Sequence, residues 1–248
     1  MIKLQNITFS YKQESILKNF NLSISSGKTT VLIGPSGCGK STILRLINRL
    51  ILPSSGEIFI KKDKVDNSTI QSLRLKMGYV IQEGGLFPNL SAAQNVCLMA
   101  TRLKWEKKKI KERLEELADL THFSKDNYNR FPGQLSGGQR QRVSLMRALM
   151  LNPDILLLDE PFGALDPIIR SGLHDSMLEI FRSLKKTVLM VSHDLHEAAY
   201  LGDDIVLMNN GQAIQSGTIE DLLKNPVNTF VSEFIRAQRS HLPELGDE

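Results

Sequence analysis

Thr30-Val31-Leu32-Ile33-Gly34-Pro35-Ser36-Gly37-Cys38-Gly39-Lys40-Ser41-Thr42 is the stretch on which the fold turns. An apolar run passes at once into G-x-x-x-x-G-K-[ST], the spacing of Gly34 to Ser41, and this predicts a strand, a glycine-rich loop and then a helix. Glycines let the backbone take positive φ and turn successive N–H groups toward one anion, while a helix opening near Lys40 adds its partial positive charge. The guest that suits such a loop is a triphosphate. Lys40 is then a point charge for the β and γ phosphates, and the Ser41 hydroxyl, with Thr42 beside it, is placed to ligate Mg²⁺. The competing reading is an ordinary glycine turn, which the preceding strand argues against.

Working outward, three more apolar runs end in polar groups. Ile155-Leu156-Leu157-Leu158 is continuous rather than alternating, as a parallel strand covered on both faces requires, and it ends in Asp159-Glu160. Gly78-Tyr79-Val80-Ile81 ends in Gln82, and Thr187-Val188-Leu189-Met190-Val191-Ser192 ends in His193. In open α/β sheets, ligands bind outside the carboxyl ends of the strands, so Lys40, Gln82, Asp159, Glu160 and His193 are expected along one edge. Phosphoryl transfer to water needs charge neutralisation and a positioned nucleophile. Asp159 is the expected Mg²⁺ carboxylate, Glu160 the base or water-orienting carboxylate, His193 a γ-phosphate stabiliser, and Gln82 a contact to metal or water. Taken alone, an Asp-Glu pair after a strand would serve equally as a cap for the next turn.

A second helix start lies about a hundred positions further on, at Leu135-Ser136-Gly137-Gly138-Gln139, ahead of the helical run to Leu149. Its N-terminal amides also suit an anion.

With these stretches in this order, the chain resembles an ATP-binding-cassette ATPase, the nucleotide-hydrolysing subunit of a membrane transporter, over nearly its whole length. The landmarks are Tyr11, the loop from Gly34 to Ser41, Gln82, Leu135 to Gln139, Asp159-Glu160, Ala164-Leu165-Asp166 and His193. The resemblance implies ATP and Mg²⁺ as ligands, with Gly34, Pro35, Ser36, Gly37, Cys38, Gly39, Lys40, Ser41 and Thr42 around the phosphates. It implies further that Ser136, Gly137, Gly138 and Gln139 face ATP held by a second copy in a head-to-tail dimer. Asp166 would lie at the same seam, and Tyr11 would stack on adenine. Without the resemblance, Tyr11 reads as a routine residue at the edge of an alternating strand.

The changes of periodicity predict an α/β fold: a P-loop NTPase core with a mixed, largely parallel sheet, an N-terminal antiparallel β subdomain and an inserted α-helical subdomain at about 83–150. The ATPase domain is expected over 1–226, with a terminal helix and tail over 227–248. Residues 1 to about 33, with Ile58-Phe59-Ile60, supply the short antiparallel strands. Within Glu106 to Leu120, Ile110, Leu114, Leu117 and Leu120 form one stripe of an amphipathic helix. Gly84-Gly85 is the expected hinge between the helical insert and the core. In the family resembled, that lobe and the glutamine loop receive a coupling helix of a membrane subunit.

Composition agrees. The 248 residues are 41% hydrophobic and 23% charged, ordinary for a globular chain with one sizeable core. No apolar run approaches the ~18 residues that span a bilayer, and Met1-Ile2-Lys3 leads into a strand instead of a secretory segment. Attachment to a membrane is therefore expected through integral permease subunits, on the cytoplasmic face of the inner membrane. Two cysteines, Cys38 and Cys97, are too few for a disulfide scaffold and fit a reducing compartment. Beside Lys40, Cys38 is expected to have a lowered thiol pKa, unless it is simply a tolerated small loop residue. The net charge of +4 comes from scattered clusters, and Trp105, Phe123 and Tyr128 do not interleave with basic residues, so no nucleic-acid partner is expected.

The wording Tyr79-Val80-Ile81-Gln82-Glu83-Gly84-Gly85-Leu86-Phe87-Pro88, together with Ile47-Asn48-Arg49-Leu50 and Asp159 to Pro167, resembles bacterial importers of glycine betaine, carnitine and choline. That likeness implies a quaternary-amine osmoprotectant as cargo and a periplasmic or lipid-anchored binding protein as an indirect partner. Many such ATPases carry a regulatory region after the core, and none is expected here. The other readings are the ATPase of an amino-acid or other small-solute importer, and a soluble ATPase of the same fold in DNA repair or translation. The latter usually fuses two cassettes or inserts a long coiled coil, and neither is visible.

Overall fold

The computed structural model describes residues 1–12, 14–82, 84–163, 174, 177–181 and 185–239. Strands β1 (Ile2–Tyr11), β2 (Glu14–Ile24), β4 (Ser55–Ile60) and β5 (Asp63–Lys64) form an antiparallel sheet in the order β2-β1-β4-β5. The second sheet contains β3 (Thr29–Ile33), β6 (Met77–Val80), β7 (Ile155–Asp159), β8 (Thr187–Val191), β9 (Asp204–Asn209) and β10 (Gln212–Gly217), in the order β10-β9-β3-β8-β7-β6. Every pairing in it is parallel except that of β10, which closes one edge as an antiparallel strand. The fold is the α/β cassette expected, with its predicted strands in place.

Burial on both faces explains why β3, β7 and β8 read as unbroken apolar runs. Alternate side chains enter different cores: Val31, Leu158 and Met190 go to one, while Leu32, Leu157 and Val191 go to the other. Helix α1 (Lys40–Ile47) belongs to the second core, where Ile43, Leu44, Leu46 and Ile47 pack with Leu4, Ile7 and Phe9 of the antiparallel sheet. Each such side chain contributes roughly 1.5–3 kcal/mol on burial. After the short α2 (Ile70–Arg74), three helices lie between β6 and β7: α3 (Ala92–Arg102), α4 (Lys107–Leu120) and α5 (Gly137–Leu149). They close the first core through Val96, Leu117, Val143, Met146 and Leu149. In α4 the stripe is as expected, with Leu114 and Leu117 buried and Ile110 and Leu120 partly so.

Reciprocal hydrogen bonds fix where the helices begin. Ser91 and Gln94 form a capping box on α3, and Ser136 and Gln139 form one on α5. The chain continues through α6 (Leu195–Leu201), α7 (Ile219–Lys224) and α8 (Thr229–Arg239). Residues 204–217 were not read from the sequence as strands, and in β10 the cause is a run, Gln212-Ala213-Ile214-Gln215-Ser216-Gly217, in which no side chain is fully buried.

Candidate nucleotide-binding site

Register brings the site together. Because Val80 pairs with Leu158 and Asp159 with Val191, the chain leaves β6, β7 and β8 at one level, which sets both Gln82 and His193 beside Glu160. The Gln82 Nε2 donates to Glu160 Oε2 at 3.2 Å, and His193 Nδ1 lies 3.6 Å from the same oxygen. Glu160 adopts φ 46°, a left-handed conformation that costs a glutamate of order 1–3 kcal/mol. Hydrogen bonds from Glu160 N–H to Val191 O (3.1 Å) and from Gly163 N–H to Glu160 O (3.2 Å) hold that conformation. The strain coincides with a carboxylate that faces both Gln82 and His193.

One strand further along, the glycine loop joins β3 to α1. Gly34 (φ 146°), Gly37 (φ 79°) and Gly39 (φ 104°) all have positive φ. A Cβ on Gly34 would come within 2.2 Å of Met208 O, whereas one at Gly37 would meet nothing within 4 Å. Gly34 is therefore demanded by close packing against β9, and Gly37 by the turn itself. Lys40 is only 6% exposed, and its Nζ donates to Gly34 O at 2.8 Å and Pro35 O at 3.0 Å, with Cys38 Sγ at 3.8 Å. Its charge is met by neutral acceptors of its own loop. No side chain caps the N-terminus of α1, and no acidic residue sits in its first turn. A buried cation and an uncapped helix start are the complement of a polyphosphate.

Ser41 Oγ donates to Asp159 Oδ1 at 2.7 Å. Burial, opposed by this hydrogen bond and by the Arg45 guanidinium, pushes the Asp159 carboxyl above its ordinary value. Among the described residues no group of three or more His, Cys, Asp or Glu side chains is arranged to enclose a metal ion. Two hard oxygen donors fit Mg²⁺, which keeps waters and shares phosphate oxygens instead of filling an all-protein cage.

Tyr11, 41% exposed as a residue, closes β1 with its ring edge-on to Phe9, the centroids 4.7 Å apart. Its phenol raises the pKa of the Arg45 guanidinium, with Tyr79 and Asp159 adding to the effect. Arg45 was not singled out in the sequence, although its place five residues after Lys40, one turn on, was the available signal. Also missed was the support behind His193. Ser192 Oγ donates to the buried Glu197 at 2.5 Å, Asp194 N–H donates to Ser192 Oγ at 2.9 Å, and Asp194 caps α6 through His196 N–H at 2.7 Å.

Two expectations are corrected. Cys38 is buried, and desolvation raises its thiol pKa despite Lys40, because the loop closes over the sulfur. Gly84-Gly85 is not a free hinge, since side chains of α5 hold both carbonyls: Ser144 Oγ and Arg147 Nη2 donate to Gly84 O, and Arg147 Nη1 donates to Gly85 O. Ser136 is exposed at the start of α5, with Gly137 and Gly138 in the first turn and Gln139 engaged in the capping box. Ala164, Leu165 and Asp166 lie outside the described residues.

A largely parallel sheet with a glycine loop between β3 and α1, and with polar groups gathered at its carboxyl edge, defines a P-loop nucleotide-binding protein. The chain belongs to the ABC transporter family, whose sequence model matches residues 17–163. It is 44% identical over 240 residues to the choline transport ATP-binding protein OpuBA of Bacillus subtilis, covering 96% of this chain and 63% of that protein. It is 42% identical over 234 residues to the glycine betaine uptake system ATP-binding protein YehX of Escherichia coli, covering 94% of this chain and 76% of that one. A dimeric structure of a bacterial ABC transporter cassette superposes with a TM-score of 0.81 at 35% identity, covering 88% of this chain and 99% of its own. The chain thus spans less than two thirds of the length of the choline transport relative.

Proposed function

We propose that this protein binds and hydrolyses ATP to drive uptake of a small solute, and that the solute is a quaternary amine such as glycine betaine or choline. The observation that carries the reading is the gathering of Lys40, Ser41, Asp159, Gln82, Glu160 and His193 at one sheet edge. Kinship with proteins named for choline and glycine betaine transport supports the solute class.

Bound Mg²⁺ would neutralise charge on the phosphates and help to orient them. Lys40 exchanges its loop carbonyls for phosphate oxygens, with the first-turn amides of α1 donating alongside. Ser41 and Asp159 are the metal-holding pair. Glu160 orients the attacking water and accepts its proton at Oε2, the oxygen faced by both Gln82 and His193. His193, on the loop anchored by Ser192 and Glu197, bears on the γ phosphate. Tyr11 offers its exposed ring to adenine.

Ser136, Gly137 and Gly138 act on nucleotide bound by a second copy, so two chains pair head to tail, with Asp166 at the seam. The pair docks from the cytoplasmic side on integral permease subunits that a substrate-binding protein feeds. Among the described residues no helix is long and apolar enough to cross a membrane. Phe87 is a suitable docking contact, being 51% exposed on a loop that Asn95 braces by accepting from Phe87 N–H at 2.8 Å and donating to Leu90 O at 2.9 Å.

The test is reconstitution in proteoliposomes with candidate permease and binding-protein subunits of a quaternary-amine importer. ATP-dependent accumulation of labelled choline or glycine betaine is expected. Uptake of anions alone rejects the solute assignment, and absence of ATP cleavage by the assembled complex rejects the reading as a whole.

A further inference from the structure

We infer that Arg147, aided by Ser144, is a positioning residue for Gln82, locking the turn that carries this glutamine to the helix that begins at Ser136–Gly138. The geometry is a clamp of three bonds. Arg147 Nη2 donates to Gly84 O at 2.9 Å, Arg147 Nη1 to Gly85 O at 2.9 Å, and Ser144 Oγ to Gly84 O at 2.9 Å. Both glycines have positive φ (76° and 51°), which turns their carbonyls toward α5.

The segment is closed on its other side too. Gly84 N–H donates to Ile81 O at 3.0 Å, completing a turn in which Gln82 directly follows Ile81. A Cβ on Gly85 would lie 2.2 Å from Ile81 Cδ1, so residue 85 is packed against the residue that precedes Gln82. With both ends of this turn fixed, the Gln82 side chain is directed at Glu160 Oε2, 3.2 Å away.

Arg147 lies ten positions after Gly137 on the same helix, about 15 Å at 1.5 Å per residue. A helix of that length moves as a rigid rod, so displacement of its start is felt at the Gln82 turn. The guanidinium fork is suited to two adjacent carbonyls in a way that a lysine ammonium is not. The functional consequence rests on the hydrolytic reading above, whereas the clamp does not.

The test combines exchange and kinetics on the full chain. In nucleotide-free Arg147→Met, hydrogen exchange should accelerate in peptides covering residues 78–90 and stay unchanged in 155–159. Turnover should fall on the order of 10- to 100-fold at nearly constant KM for ATP, the scale of a misplaced catalytic group. In a Gln82→Ala background the same substitution should cost little more, and Arg147→Lys should recover only part of the loss. Unchanged exchange, or fully multiplicative losses for Arg147→Met and Gln82→Ala, overturns the proposal. If Arg147→Met does not fold, Ser144→Ala carries the same cycle on the same terms. Faster exchange in a wild-type background that never cleaves ATP would leave the clamp standing and remove the hydrolytic reading.

Discussion

The hydroxyl of Ser41 donates to Asp159 Oδ1 at 2.7 Å, tying the first turn of α1 to the carboxyl end of β7 across 118 positions of sequence. This contact joins the phosphate loop to the acidic strand end and holds an Asp carboxyl that burial has pushed above its ordinary value.

The sign of the resulting pH effect follows. A carboxyl whose folded-state pKa is raised stabilises the protein fully below its unfolded value of 3.8, and that contribution is lost as pH rises through the higher folded value. At neutral pH the nucleotide-free protein therefore carries an unfavourable carboxylate. Asp159→Asn should raise the thermal midpoint, by more at neutral pH than in the acidic carboxyl range, and should abolish Mg²⁺-dependent turnover. A midpoint lowered at neutral pH contradicts the assignment.

Lys40 is buried against carbonyls of its own loop. Lys40→Ala should weaken nucleotide binding by roughly 1.5–3 kcal/mol, the range of a charge-assisted hydrogen bond. Isothermal calorimetry returning wild-type affinity would refute its phosphate role.

Glu160 holds a strained backbone and faces both Gln82 and His193. Glu160→Gln should retain ATP binding, lower turnover by ~10²–10⁴-fold as expected for loss of a general base, and accumulate an ATP-bound dimer on gel filtration. Turnover near wild type would remove Glu160 from the reaction.

Tyr79, desolvated and beside Asp159, has its phenol pushed up from 10.0 to about 12. Its neutral form stabilises the fold fully below pH 10, and that contribution is lost as pH rises to about 12. Burial also raises the Tyr128 phenol, so ultraviolet titration should show late-ionising absorbance that falls by one phenol in Tyr79→Phe, and an unchanged late amplitude in that variant would disprove the assignment.

Gly34 combines φ 146° with a Cβ position 2.2 Å from Met208 O. Gly34→Ala should destabilise the protein by about 2 kcal/mol or more, because strain and a backbone clash both act there. Urea unfolding with an unchanged midpoint would show that the loop relaxes freely.

Much of this was legible in the chain because the informative patterns are local. Thr30 to Ser41 encodes strand, loop and helix from neighbouring residues alone, and the unbroken apolar runs before Asp159 and His193 announce strands buried on two faces. Strand ends in such a sheet share an edge, so Lys40, Gln82, Asp159, Glu160 and His193 could be assembled before any distance was known. Arg45, Ser192 and Glu197 escaped because they sit within helices or at a strand end without a pattern of their own, and their partners are supplied by packing.

The sequence by itself determined the strands that lead into Gly34, Gln82, Asp159 and His193, which loop suits a polyphosphate and which residue types stand at the sheet edge, since period and glycine placement act within a few residues. Only the tertiary structure decided that Ser41 meets Asp159, that Glu160 is shared by Gln82 and His193, that Cys38 is buried, and that Arg147 grips Gly84 and Gly85. Those outcomes depend on strand register and desolvation, which arise when distant segments pack and have no counterpart in local spacing.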